Sequence, residues 1–590
     1  MKYSDFFISE LRRAGYTTCF SVGGGNIMHL AESASTRITL IPVVHEVVAV
    51  MAAEAFNATS TNGEKAFALV TAGPGLTNCI TGIAGAYLEA REVLVVGGQV
   101  KTEDLSDGTI RQMGIQEIDG VKLVSSVCIK SERMDSPWSS LEIDKFLHLE
   151  PYTRPGPLFI EVPIDIQGSP VTKVEASSKD MSLQDSVVTK PTKDFSKFED
   201  LLRYSDRPVL LIGGGVSFGV ARSLQTKLAN SGIPVMTTWN GADRVDNFAE
   251  NYMGRPNTWG QRYSNILIQQ SDLVIAIGTR LGLQQTGFNW KQFAPAAKIV
   301  QIEIDEGELK KARPKKELAI LWDANLALDE VLESALKLRK RTWNSWLEFC
   351  RKVKNLLPIS EAVNNRFDGF WNPYDFFSLI SSNLTDGDRL IPSSSGSSFT
   401  VGYQASAIKM GVRMLSSKSL ASMGHGLGMA LGAALTSSGT TVLVEGDGGF
   451  AQNLQDLGTL SRIGKQVKIF IWDNDGYGSI RTTQKTYFDG HYVGCDTETG
   501  LNLPRWEDIA KAFDVPISNL EVGQDFSEII QRKGTEIFIV KIHPDQTFFP
   551  KISSRVLPDG SMESNPLHLM SPPLDQETFE KVWVDYTAGE

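Results

Sequence analysis

The stretch 441–478, TVLVEGDGGFAQNLQDLGTLSRIGKQVKIFIWDNDGYG, decides the fold class. An unbroken apolar run, TVLVE, ends in Gly446-Asp447-Gly448-Gly449 and a helical pattern follows. A second run, VKIFIWDN, ends at Asn474 and leads into Asp475-Gly476-Tyr477-Gly478. Apolar β-branched runs without alternation read as strands covered on both faces. Strand, Gly-rich turn, helix and strand make a parallel α/β unit. Asp447 and Asn474, 27 residues apart, then close two adjacent strand ends, where such sheets bind ligands. One carboxylate, one amide oxygen and one backbone carbonyl form a hard-oxygen set suited to Mg²⁺. Gly448 and Gly449 let backbone N–H groups approach a phosphate at a helix start. A plain Gly-rich turn would account for GDG alone. It does not account for an asparagine at this spacing with a second Gly-rich turn behind it.

The same rhythm runs outward through the chain. AFALV at 66–70 enters TAGPG, EVLVV at 92–96 enters GG, PVLLI at 208–212 enters GGG, and LVIAI at 273–277 enters Gly278. Two polar stretches interrupt it. The boundaries give an N-terminal domain at 1–168, a linker at 169–195 and a central dinucleotide-like domain at 196–340. A second linker at 341–370, opening in a basic helix, precedes a C-terminal domain at 371–550 and a tail at 551–590. The expected architecture is α/β, with three doubly wound parallel-sheet domains.

Composition narrows the function. The 590 residues carry a formal net charge of -11, which argues against nucleic acid or an anionic membrane surface as partner, since both need clustered Lys and Arg. No apolar run approaches the ~20 residues that span a bilayer. The start, MKYSDFFISELRRAG, reads as an amphipathic helix and not as a signal peptide. Cys19, Cys79, Cys128, Cys350 and Cys495 are scattered and odd in number, with no metal-ligand spacing. A reduced, cytoplasmic setting fits them.

The GDG…Asn motif resembles that of the thiamine diphosphate enzymes, and nearly the whole chain is similar to their acetohydroxyacid synthase branch. The resemblance implies that thiamine diphosphate is held by Gly446, Asp447, Gly448, Gly449, Asn474, Gly476, Tyr477 and Gly478. Asp447, Asn474 and the Gly476 carbonyl would be the Mg²⁺ ligands. It implies an N-terminal aminopyrimidine-binding domain and a C-terminal diphosphate-binding domain. At least a homodimer, or a homotetramer, follows, because the family places its cofactors between subunits.

Glu46, in Val43-Val44-His45-Glu46, opens a helical pattern. An acid there also complements a helix dipole. By the resemblance it faces N1′ of the aminopyrimidine, where a carboxyl group stabilises the imino base that deprotonates the thiazolium. A partly desolvated setting with a raised pKa is expected, with Val43, Val44, Val47 and Val48 as apolar surroundings. Gly73, Pro74 and Asn78 match a GPG-x-TN turn, which is either an aminopyrimidine contact or simply a tight turn. Met423 matches the residue under the bend of the cofactor, and Ala421 the carbonyl that accepts from its 4′-amino group. Gln116 matches a donor to the developing alkoxide, and Ile115 the apolar residue beside it. His425 is left out of the catalytic set as a packing residue.

Two departures from the branch bear on the acceptor. Gln284 stands where an arginine grips the acceptor carboxylate, and Thr483 where a tryptophan follows the metal loop. An amide does not replace a bidentate guanidinium, so the acceptor pocket of Ile115, Gln284 and Thr483 is expected to take a larger, uncharged, hydroxylated group. The resemblance also implies a non-redox FAD on Gly213, Gly214, Gly215, Arg255, Gly278, Thr279, Arg280, Glu303 and Asp305, although a strand followed by GGG is a weak signal. The resulting expectation is an Mg²⁺-dependent carboligase. It would decarboxylate a 2-oxo acid such as pyruvate and pass the two-carbon unit to a carbonyl acceptor, a nucleotide-linked keto sugar. The alternatives are the acetolactate synthase catalytic subunit, a 2-oxo acid decarboxylase or flavin oxidase, and a non-catalytic paralogue.

Overall fold

A computed structural model describes residues 1–171, 190–393 and 397–584. Most of the expected linker at 169–195, and the last residues of the expected tail, lie outside the described residues. The chain divides into two compact units: Met1–Ser186 with Gly387–Phe399 and Leu415–Lys541, and Val187–Asp386 with Thr400–Met414 and Ile542–Glu590.

The apolar runs are strands of three parallel sheets. In the first unit β1 (Tyr16–Ser21), β2 (Thr39–Pro42), β3 (Lys65–Val70), β4 (Val93–Gln99), β5 (Lys130–Arg133) and β6 (Pro157–Pro163) run in the order β2-β1-β3-β4-β6-β5. In the second unit β7 (Pro208–Ile212), β8 (Val235–Thr237), β9 (Leu273–Ile277), β10 (Lys298–Glu303) and β11 (Leu318–Leu321) run β11-β10-β9-β7-β8. The third sheet, in the first unit, carries β12 (Arg389–Pro392), β13 (Thr441–Gly446), β14 (Val467–Asp473), β15 (Ile517–Asn519) and β16 (Thr535–Lys541), with β13 and β14 paired in parallel and Gly446 beside Trp472. Strands β3, β4, β7 and β9 are buried nearly end to end, as their continuous apolar sequence requires.

A pair of packed helices, one from each half of the first unit, joins the first and third sheets. α1 (Glu46–Thr59) has Val48, Ala49, Val50, Ala52 and Ala53 fully buried, and α2 (Pro74–Glu89) follows the glycine turn of β3. α1 packs against a small-residue helix of the C-terminal half, here α4 (His425–Thr436). A Cβ on Gly432 would stand 1.9 Å from the Ala52 carbonyl oxygen, so only glycine permits this approach. The buried Glu54 side chain takes a 2.8 Å ion pair from Arg91 and faces His425 Nε2 at 3.3 Å. His425 is thus fully buried beside a carboxylate.

In the second unit α3 (Arg341–Leu356) occupies much of the stretch placed in a linker from the sequence. Its Trp343, Trp346, Cys350 and Val353 are buried, so the segment belongs to the core of this unit. The basic helix read from the sequence is therefore present, with its apolar residues buried in this unit. The tail is likewise attached. Leu567 and Met570 are buried, and Arg262 donates to the Pro572 carbonyl at 2.7 Å. All five cysteines are buried and free. No helix among the described residues is long and apolar enough to cross a membrane.

Candidate active site

Asp447 directly follows β13 and Asn474 directly follows β14, and the two meet side by side as the spacing predicted. The Asp447 side chain is 2% exposed and accepts backbone N–H groups from Gly448 at 2.6 Å, Gly476 at 2.9 Å and Asn474 at 3.3 Å. Burial pushes its carboxyl up to about 6, against the backbone donors of Gly476 and Gly448. A divalent cation would offset that desolvation. The Asn474 amide oxygen and the Gly476 carbonyl, which also accepts the Gly478 N–H at 2.9 Å, are neutral oxygens of the kind Mg²⁺ accepts. The residues therefore fit the ion.

The glycines here are demanded by close approach. A Cβ on Gly448 would lie 2.2 Å from the Tyr477 ring, and one on Gly478 would lie 2.4 Å from Asn474 Nδ2. Gly476 has φ of 109°, and the Tyr477 N–H donates to the Cys495 carbonyl at 2.7 Å. The Arg481 guanidinium, not singled out from the sequence, donates to the carbonyls of Asn474 and Asp475 at 2.5 and 3.0 Å and fixes the turn. A cleft of about 250 Å³ opens here, lined by Asp447, Asp473, Gly476, Asp496, Trp506 and Lys541.

In the same unit Glu46 begins α1, half-buried, with Asn78 Nδ2 donating to its Oε2 at 2.9 Å. The GPG-x-TN turn thus reaches Glu46 through its asparagine. Asp456 accepts the backbone N–H groups of Val44 at 2.8 Å and His45 at 3.2 Å. His45 Nδ1 meets Asn453 Oδ1 at 3.3 Å, and Asn453 Nδ2 donates to the Gly424 carbonyl at 2.7 Å. The Glu46 turn and the half-buried Met423 are joined through this pair. Asn453 and Asp456 lie in an ordinary-looking helical pattern and give no sequence signal. Val43, Val47 and Val48 are buried around Glu46, but Val44 is 60% exposed, a correction to the expected apolar surround. Its backbone turns toward Asp456, which swings its side chain outward. Ala421 adopts φ of 55° two residues before Met423.

Gln116 has φ of 61° and is exposed, and Ile115 is 85% exposed. A Cβ on Gly73 would stand 2.5 Å from the Gln116 carbonyl oxygen, so this loop rests on the GPG turn. Glu117 shapes the loop by accepting the N–H groups of Ser106, Met113 and Gly114 at 2.6, 2.7 and 2.8 Å. Thr483 lies on the helix Gly478–Tyr487, exposed, with its hydroxyl donating to the Ser479 carbonyl.

In the second unit Gly213, Gly278 and Glu303 stand together at the ends of β7, β9 and β10. The glycines there are explained by the chain itself. A Cβ on Gly213 would meet the Gly278 carbonyl oxygen at 2.1 Å, and one on Gly214 would meet Asn240 Cβ at 2.9 Å. The Asp305 carboxylate caps a helix, accepting the Gly307 N–H at 2.8 Å. Arg255 is 1% exposed and donates to the carbonyls of Tyr403 and Ser406 and to Asn247 Oδ1. It is committed to the protein interior and does not join the others. Thr279 and Arg280 follow Gly278; Thr279 is buried and Arg280 half-buried. Gln284 is exposed, with its carbonyl accepting the Thr258 N–H at 2.8 Å.

Comparison with known proteins finds related domains over much of the chain. Residues 1–123 match the thiamine pyrophosphate enzyme N-terminal TPP binding domain, 196–331 the central domain, and 394–540 the C-terminal TPP binding domain. The acetolactate synthase isozyme 2 large subunit of Escherichia coli (strain K12) is 27% identical over 593 residues, covering 97% of this chain and 100% of that protein. The acetolactate synthase large subunit of Cyanidium caldarium is 28% identical over 501 residues, 83% of each chain. The chloroplastic acetolactate synthase of Arabidopsis thaliana is 28% identical over 548 residues, 90% of this chain and 79% of that one.

Proposed function

Because this chain belongs to the thiamine pyrophosphate enzymes, we propose that it is a thiamine diphosphate- and Mg²⁺-dependent carboligase. It decarboxylates a 2-oxo acid, pyruvate in this reading, and transfers the two-carbon acyl unit to the carbonyl of a nucleotide-linked keto sugar. The observation that carries the reading is the Asp447–Asn474–Gly476 cluster, gathered in one unit with a Glu46 turn fastened by Asp456. Thiamine diphosphate, when bound, supplies the carbon nucleophile.

The chain's own residues do the rest. Asp447, Asn474 and the Gly476 carbonyl would hold Mg²⁺, and the amides of Gly448 and Gly449 would meet phosphate oxygens. Glu46 holds a proton at N1′ of the aminopyrimidine, oriented by Asn78. The Ala421 carbonyl would accept from the 4′-amino group, and Met423 would pack against the cofactor. Gln116 donates to the alkoxide that develops on the acceptor, with Ile115 beside it.

Gln284 and Thr483 set the acceptor class. Neither carries charge, so neither grips a carboxylate as a guanidinium does. A second reading, the acetolactate synthase catalytic subunit, is favoured by the names of the full-length relatives. FAD is the group proposed for the strand ends at Gly213, Gly278 and Glu303, in a non-redox role. Visible flavin absorbance of the purified protein tests it. A homodimer or homotetramer in the cytoplasm completes the proposal.

The deciding experiment offers pyruvate with a panel of acceptors and identifies products by mass spectrometry. A branched sugar nucleotide is the expected product. Acetohydroxy acids alone would replace this reading with the synthase.

A further inference from the structure

The C-terminal segment brings into the second unit a cation that no carboxylate among the described residues neutralises. Lys551 begins a short antiparallel pairing, Lys551–Ile552 with Met570–Ser571. Its ammonium lies 5.2 Å from the ring centroids of both Trp259 and Phe549. Among the described residues no carboxylate pairs with it and no hydrogen bond reaches it. Lys551, Trp259 and Phe549 are all half-buried. Burial holds the ammonium below the ordinary lysine range. Partial burial costs the ammonium some of its hydration, the two ring faces return part of it, and an anion arriving from the solvent side would return more.

The surround is built to keep this shape. Gln404 Nε2 donates to the carbonyls of Gly260 and Pro550 at 3.3 and 2.8 Å, tying together the chain beside Trp259 and the chain beside Lys551. The Tyr374 hydroxyl donates to the Phe549 carbonyl at 2.6 Å. One further link reaches the acceptor position. The Ile552 N–H donates to the Thr258 carbonyl at 2.8 Å, and the Thr258 N–H donates to the Gln284 carbonyl at 2.8 Å. Lys551, Trp259 and Gln284 therefore lie on three backbone segments joined at Thr258.

We propose that Lys551, between Trp259 and Phe549, is a phosphate-binding residue for the acceptor, taking an oxygen of the diphosphate of a nucleotide-linked substrate. The inference rests on the acceptor reading above, which places the acceptor at Gln284. Lysine acts on phosphate as a point charge with rotatable donors. The flanking aromatic faces offer a flat apolar surface to the ring attached to that diphosphate. A 2-oxo acid carboxylate is the competing anion, and the experiment separates the two.

Wild type, Lys551→Gln, Lys551→Met and Lys551→Arg are prepared full-length and saturated with thiamine diphosphate and Mg²⁺, so that the cofactor's own diphosphate site is filled. Uridine diphosphate, thymidine diphosphate and 2-oxobutyrate are titrated by calorimetry, with tryptophan fluorescence alongside. Wild type should bind at least one nucleoside diphosphate. Lys551→Gln and Lys551→Met should each weaken it about tenfold, with Lys551→Arg close to wild type and 2-oxobutyrate unchanged. Equal affinity in wild type and both neutral variants would overturn the site. So would no nucleotide binding by wild type, or an effect confined to 2-oxobutyrate. Failure of the acceptor reading looks different: wild type would turn over 2-oxo acid acceptors alone while still holding the nucleoside diphosphate through Lys551.

Discussion

The carboxylate of Asp456 accepts the backbone N–H of Val44 at 2.8 Å, across 412 residues of chain. Through this contact the turn bearing Glu46 is fastened to the segment just beyond the Gly446–Gly449 turn. Asp456→Ala should loosen Glu46 without touching the metal ligands. Hydrogen bonds to a charged group contribute about 1.5–3 kcal/mol, so C2–H/D exchange of bound cofactor should slow on the order of tenfold or more. Cofactor affinity by calorimetry should stay within about twofold. Unchanged exchange would remove Asp456 from the positioning set.

Glu46→Gln should bind thiamine diphosphate and Mg²⁺ normally and slow C2–H exchange by about 10²-fold or more, since the acid at N1′ is lost. The exchange is followed by NMR after acid quench. A wild-type rate would reject the assignment.

Asp447 predicts a pH dependence. Its carboxyl sits at about 6 in the folded protein against an ordinary 3.8. Between those values the folded state keeps a proton that the unfolded state has lost, so this residue's contribution to apoprotein stability falls as pH rises through the window. Mg²⁺ takes only the ionised form, so its affinity should drop about tenfold per unit as pH falls below that value. Asp447→Asn should flatten this part of the apoprotein stability profile and abolish stabilisation by Mg²⁺. Thermal unfolding with and without the ion measures both.

Gly432→Ala places a methyl group 1.9 Å from the Ala52 carbonyl oxygen. Overpacking of this kind costs about 1–3 kcal/mol, and the unfolding midpoint should fall by several degrees. Gly219→Ala, whose added Cβ meets nothing within 4 Å, is the control and should not lower it.

Restoring the synthase residues with Gln284→Arg and Thr483→Trp should shift preference toward 2-oxo acid acceptors. A desolvated charge-assisted pair is worth about 2–3 kcal/mol, so the ratio of kcat/KM values should move roughly 10- to 100-fold. Competition between 2-oxobutyrate and a nucleotide-linked 4-keto sugar, with pyruvate as donor, reads it. A ratio that does not move would separate these positions from acceptor choice.

The sequence by itself determined the parallel sheets and the adjacency of Asp447 and Asn474. Strands joined by one β-α-β unit are most often neighbours, and here the glycine-ended β13 pairs with β14, the strand that runs into Asn474. It also made Glu46 a helix-starting acid, because that depends only on the local pattern. Only the tertiary structure decided what holds these groups. Asp456 reaches Val44, Arg255 turns inward to Tyr403 and Ser406, α3 joins the core of its unit, and Lys551 lands between Trp259 and Phe549. An amphipathic period shows that a face is buried, but not against which distant segment. The hydrogen-bond partners and desolvation of a charged side chain follow from that non-local choice.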